Sequence, residues 1–181
     1  MRNRMNTRAG IVVALVAIVL GASTIYTRAM ADESAKKPAA KSEGFSAIQA
    51  LEGTWIAAAP AEGQKPMTLV FRPTAGGSAM METMSPGSEH EMLNVYTNDE
   101  RGVTLTHYCM MGNQPRMRLA SAKDGVLKFE YVDGGNLKSR DEAHMDSVEI
   151  TIKGDRLTQD WAMYQDGKVT GHHTFEFKRQ K

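Results

Sequence analysis

From Trp55 to the C-terminus, apolar and polar side chains alternate. Met67, Leu69 and Phe71 are separated by Thr68 and Val70, and Val103, Leu105, His107 and Cys109 by Thr104, Thr106 and Tyr108. Leu127, Phe129 and Tyr131 form another such run, as do Val148, Ile150 and Ile152, then Leu157, Trp161 and Met163, then Phe175 and Phe177. A period of two places one set on a dry face and the other in water, which is the pattern of antiparallel strands. The breaks carry turn chemistry: Gly76-Gly77, Pro86-Gly87, Asn98-Asp99, Gly112-Asn113, Asp124-Gly125, Gly134-Gly135, Gly154-Asp155 and Asp166-Gly167. Such residues tolerate positive φ or bond their own backbone, and Asp-Gly pairs are strong hairpin formers. About ten strands result, at the spacing of a sandwich or barrel. Closure removes exposed sheet edges. The prediction is therefore an all-β, up-and-down antiparallel barrel of about ten strands. A two-sheet sandwich with a filled core is the alternative. An inward set that is apolar with some polar members suggests a cavity.

The pattern is different before Trp55. Phe45, Ile48 and Leu51 recur three apart, the spacing of one helix face, and predict a short helix stopped at Gly53. Residues 32–45, with Lys36, Lys37, Pro38, Ala39, Ala40 and Lys41, bury little and read as a flexible linker. Residues 1–31 combine Arg2, Arg4 and Arg8, an apolar run through Ala9–Ala22, and Ala29-Met30-Ala31 before acidic Asp32-Glu33. A positive start, a short apolar run and a small-x-small site make a secretory signal peptide. An uncleaved anchor is the alternative, although the run is shorter than the roughly 20 residues of a bilayer span. With cleavage, no stable membrane span remains. The barrel domain then covers 46–181, exported to the periplasm or secreted.

Cleavage changes the charge. The whole chain has 22 basic and 21 acidic side chains. Loss of Arg2, Arg4, Arg8 and Arg28 leaves a formal net charge of −3. A mildly acidic domain without a basic block argues against nucleic acid and anionic membrane surfaces as partners. Cys109 is the lone cysteine, so no internal disulfide forms and the core must supply stability.

Leu51-Glu52-Gly53-Thr54-Trp55, opening the first strand after a helix, resembles the Gly-x-Trp start of calycin barrels, namely lipocalins, fatty-acid-binding proteins and nitrobindin-like proteins. The resemblance spans about residues 47–180. It implies that Trp55 closes one barrel end and that a late basic residue, Arg179 here, packs across it. Further segments are similar to a group of uncharacterised exported bacterial lipocalin-like proteins: Gly76-Gly77-Ser78-Ala79, His90-Glu91-Met92, and Leu105 to Cys109 continuing through Gly112 to Met117. Nitrobindin-like proteins bind haem through a late-strand histidine, and His172 stands at a similar distance before Arg179. The chain departs from that pattern at Ala57 and Ala59, where glycines are expected, and the alternation turns His173 inward rather than His172.

Candidate chemistry gathers on the inward face. His107 and Cys109 share a face with Val103 and Leu105, and His173 shares one with Phe175 and Phe177. Met81, Met92 and Met117 join them, whereas the alternation turns Met80, Met84 and Met110 toward solvent. Trp161 belongs to the core or a barrel end, and Tyr96 completes the candidate lining without an assigned orientation. Asn113, Gln114 and Arg116 form either a hairpin turn or a polar grip at the barrel mouth. Sulfur and imidazole groups suit soft metals or haem iron, so His107, Cys109, His172 and His173 form a metal-binding alternative, although no spacing matches a metal motif. His107 as a plain hydrogen-bonded interior group is the competing explanation. No nucleophile elbow, phosphate loop, zinc-protease helix or dinucleotide fingerprint occurs, so no cofactor and no catalytic residues are expected. The sequence leaves four roles open: a barrel for a small hydrophobic molecule, a haem or soft-metal redox protein, a structural envelope domain with a filled core, and, resting only on the His107–Cys109 face, an enzyme acting on a small molecule inside the barrel.

Overall fold

A computed structural model describes residues 42–58 and 65–181. The signal segment 1–31 and residues 32–41 of the linker lie outside the described residues. Ser42 caps helix α1 (Glu43–Gln49), its Oγ accepting a hydrogen bond from the Phe45 N–H at 3.2 Å. The helix therefore starts two residues earlier than the apolar spacing marks. It ends at Gln49, and Gly53 instead opens the first strand with φ of 121°. Phe45, Ile48 and Leu51 are fully buried. Each contributes about 1.5–3 kcal/mol of burial energy.

Ten strands follow: β1 (Gly53–Ala57), β2 (Thr68–Thr74), β3 (Ala79–Met84), β4 (Met92–Asp99), β5 (Gly102–Tyr108), β6 (Gln114–Lys123), β7 (Val126–Gly135), β8 (His144–Lys153), β9 (Arg156–Gln165) and β10 (Lys168–Arg179). Each pairs antiparallel with the next, and β1 pairs with both β2 and β10, closing the barrel. The all-β, up-and-down barrel with one short helix is thus the architecture found, and it is compatible with a calycin fold. At the β6–β7 hairpin, Asp124 and Gly125 both take positive φ (53° and 77°). Two such residues in succession give the turn twist that matches paired strands.

α1 packs against β4, β5 and β6, at the barrel end where β1 begins. Gly44 allows the close approach, because a Cβ there would overlap Leu119 of β6. The expected plug is present at this end. Trp55 is fully buried, and its indole N–H donates to the Leu51 carbonyl at 2.8 Å. The Arg179 guanidinium lies 4.2 Å above its ring. α1 and Trp55 fill one end; at the other, β2, β4 and β8 begin and β3 and β5 finish.

Candidate functional site

At that opposite end the side chains of six strands and the approach to β2 surround a cavity of about 160 Å³. Four methionines line it: Met67 just before β2, Met84 at the end of β3, Met92 at the start of β4, and Met145 near the start of β8. Met84 and Met92 are direct cross-strand partners. Trp161 of β9 and its partner His173 of β10 form another side, with Phe175 two residues on. A β-bulge between Met145 and Ser147 shifts the β8 register there. One added residue turns a side chain that strict alternation would face outward. His107, at the end of β5, completes the wall. Its ring stands 5.0 Å from the Trp161 ring.

Beneath this cavity runs a buried polar chain. Glu82 is wholly buried and accepts three hydrogen bonds, from Tyr96 Oη at 2.6 Å, Asn94 Nδ2 at 2.8 Å and Gln159 Nε2 at 2.7 Å. Gln159 Oε1 in turn accepts from Trp161 Nε1 at 3.1 Å. Asn94 turns its Oδ1 toward His107 Nδ1, 2.7 Å away. Burial raises the Glu82 carboxyl above its ordinary value, opposed by the bonds from Tyr96, Asn94 and Gln159. Burial, reinforced by the Glu82 charge, raises the Tyr96 phenol well above its ordinary value. Burial lowers the His107 imidazole to about 4, so it is neutral at physiological pH.

The tautomer of His107 follows from the chain of donors. Asn94 Nδ2 is committed to Glu82 Oε2 and to Met84 Sδ at 3.7 Å. Its Oδ1 is an acceptor, so His107 Nδ1 must carry the proton and Nε2 the lone pair. Nε2 is buried and has no hydrogen-bond partner among the described residues.

Of the sequence-level candidates, Met92, His107, Trp161 and His173 meet at this cavity. Tyr96 lies below it in the polar chain. The others are elsewhere. Met81 takes the opposite face of β3, while Met80 and Met84, expected in solvent, are buried. Strand β5 ends at Tyr108, so Cys109 leaves the inward row for the following turn and is only half-buried. Arg116 is exposed on the barrel exterior, where it makes a two-pronged ion pair with Asp133 and holds that carboxyl below its usual range. Asn113 is buried but ties its loop to the Ala143 carbonyl at 2.9 Å. Met117 is fully buried in the core. His172 is on the outer face, its Nδ1 2.9 Å from Asp160 Oδ2.

Sequence reasoning missed Met67, Met84, Met145 and Phe175 in the lining, and Glu82, Asn94 and Gln159 beneath it. Asn94 sits midway between Met92 and Tyr96, and Gln159 between Leu157 and Trp161. Strict alternation through their polarity places both inward. The inward polar residues mostly satisfy one another instead of lining the open interior that their presence suggested.

Arg140 makes a second cluster. Its guanidinium lies over the rings of Tyr131 (4.1 Å) and Tyr164 (3.7 Å) and pairs with Asp146 and His144. Both guanidinium Nη atoms have side-chain partners on β8, which anchors the β7–β8 loop. No protein-family model matches the chain, and no curated protein is significantly similar to it.

Proposed function

We propose that this chain is an exported binding protein whose barrel takes one small, mainly apolar molecule at the mouth opposite α1. The methionine-lined cavity is the observation that supports it. Binding sites are mostly apolar with a few polar groups in set places. Here thioethers, an indole and a phenyl ring form the walls, and His107 and His173 supply the polar points. Flexible thioethers adapt to ligands of differing outline. The volume of about 160 Å³ lies below the range of roughly 300–1,000 Å³ for drug-sized ligands. A compact ligand follows, of the order of one aromatic ring. Export rests on the N-terminal pattern of charge, apolar run and small-x-small site.

Haem suits this site poorly. The late-strand histidine of the nitrobindin-like arrangement corresponds to His172, which is exposed on the outer face beside Asp160. The space beside His173 is small for a tetrapyrrole.

The test is native mass spectrometry of the mature protein purified from the periplasm and culture medium of a bacterial host, followed by a panel of small aromatic and short-chain compounds. Saturable one-to-one adducts with panel members, weakened by bulk introduced at Met92 (Met92→Trp), are expected. Mature protein that binds no panel member would count against the proposal, and retention of the whole chain in the cytoplasm would remove export.

A further inference from the structure

We propose that the same mouth is a copper(I) site, with His107 Nε2 and the thioether sulfurs of Met84 and Met92 as ligands and the Trp161 ring as an aromatic wall. This goes beyond the apolar-ligand proposal, because an apolar molecule has no need of an unpartnered ring nitrogen on a buried imidazole in the wall.

Three observations converge. The first is the state of His107. Its side chain is 1% exposed, and Nε2 has no protein partner among the described residues. Buried polar atoms are nearly always paired, so an exception needs an explanation. Nδ1 is held by Asn94 Oδ1, which fixes the lone pair on Nε2. Metal-bound histidines are oriented in this way, through a hydrogen bond from the other ring nitrogen.

The second is the company that the His107 side chain keeps. Met84 and Met92 face each other across β3 and β4, and Asn94 and His107 face each other across β4 and β5. Asn94 Nδ2 touches Met84 Sδ at 3.7 Å, so Met84 and His107 meet on the same amide. Met67 and Met145 add two more thioethers to the wall. Among the described residues, no three of His, Cys, Asp and Glu gather to hold a metal, and the cavity lining includes no carboxylate or thiolate. Calcium and magnesium need oxygen ligands, and structural zinc sites are built largely from thiolate and imidazole. Thioether with imidazole is a soft set, which selects copper(I).

The third is charge. A monovalent ion in an apolar cavity costs far less than a divalent one, and it still needs a counter-charge. Glu82 stands one amide away, bonded to Asn94 Nδ2. Trp161 presents its ring to the site, and an aromatic face attracts cations.

The experiment is anaerobic titration of the purified mature chain with copper(I) against a chromophoric copper(I) chelator, alongside silver(I) titration followed by methionine-methyl NMR. One equivalent is expected, with the Met84 and Met92 methyls moving. His107→Phe and the volume-conserving pair Met84→Leu with Met92→Leu should each weaken retention by about tenfold or more. Met110→Leu with Met111→Leu, at exposed positions, should leave it unchanged. If His107→Phe does not fold, the leucine pair and the methyl shifts carry the test. No competition with the chelator, or equal retention by the leucine pair, would overturn the site. Toluene binding, measured on the same samples, separates the two proposals. Toluene bound without copper leaves the apolar-ligand function standing alone, and copper bound without toluene leaves this site standing alone.

Discussion

The Arg179 guanidinium stacks 4.2 Å above the Trp55 ring and donates to two carbonyls, Glu52 O at 2.6 Å and Ala50 O at 2.8 Å. It thereby joins the last strand to the turn between α1 and β1. Arg179→Ala should cost about 2 kcal/mol, combining a cation–π contact with charge-assisted hydrogen bonds. Arg179→Lys should recover less than half, because a lysine lacks the planar fork. Urea unfolding of the two variants checks this. An alanine variant within about 0.5 kcal/mol of wild type would show the plug to be incidental.

Glu82 is the hub of the interior polar chain. Glu82→Gln replaces an acceptor-only carboxylate by a group with an NH₂ that must face existing donors. A loss of about 2–3 kcal/mol is expected. Tyr96→Phe should cost about 1–2 kcal/mol. The two should couple in a double-mutant cycle, since both act on one hydrogen bond. Strict additivity in thermal or urea unfolding would contradict a shared network.

The imidazole of His107 links stability to pH. The unfolded chain binds its proton near pH 6.5, the folded protein only near pH 4. Between these values the unfolded state holds more protons, so the contribution of His107 is intact above pH 6.5 and lost as pH falls toward 4. It amounts to something on the order of 3 kcal/mol. Glu82, with its carboxyl raised, acts with the opposite sign, losing stability as pH rises above the usual carboxylate range. The wild-type slope minus that of His107→Gln isolates the histidine. Parallel pH–stability curves for the two proteins would mean that His107 is not held neutral.

Much of the barrel is visible in the alternation because most inward positions carry apolar residues. Leu69, Phe71, Leu105, Phe129, Ile150 and Phe177 all lie where a period of two puts them, and all are buried. The Trp55–Arg179 plug was equally legible, through the Gly-x-Trp resemblance. The mouth was only half legible, and β3 shows why. Reading Glu82 as a solvent residue turns Met81 inward and Met80 and Met84 outward. Pairing of Phe71 with Glu82 and of Leu69 with Met84 fixes the reverse. The inward acid is tolerated because three donors from β4 and β9 converge on it, a long-range fact that no local pattern carries. Cys109 was misplaced because the inward row ends with the strand. The mouth stays open as a place for Arg116 in the sequence because its external partner Asp133 lies on another strand.

The most direct test of the central claim is methionine-methyl NMR of the mature protein titrated with toluene or indole. Saturable shifts at Met67, Met84, Met92 and Met145, with Met110 and Met111 unmoved, are the predicted result. Unchanged spectra at millimolar ligand, or shifts confined to the exposed Met110 and Met111, would contradict a binding site at the barrel mouth.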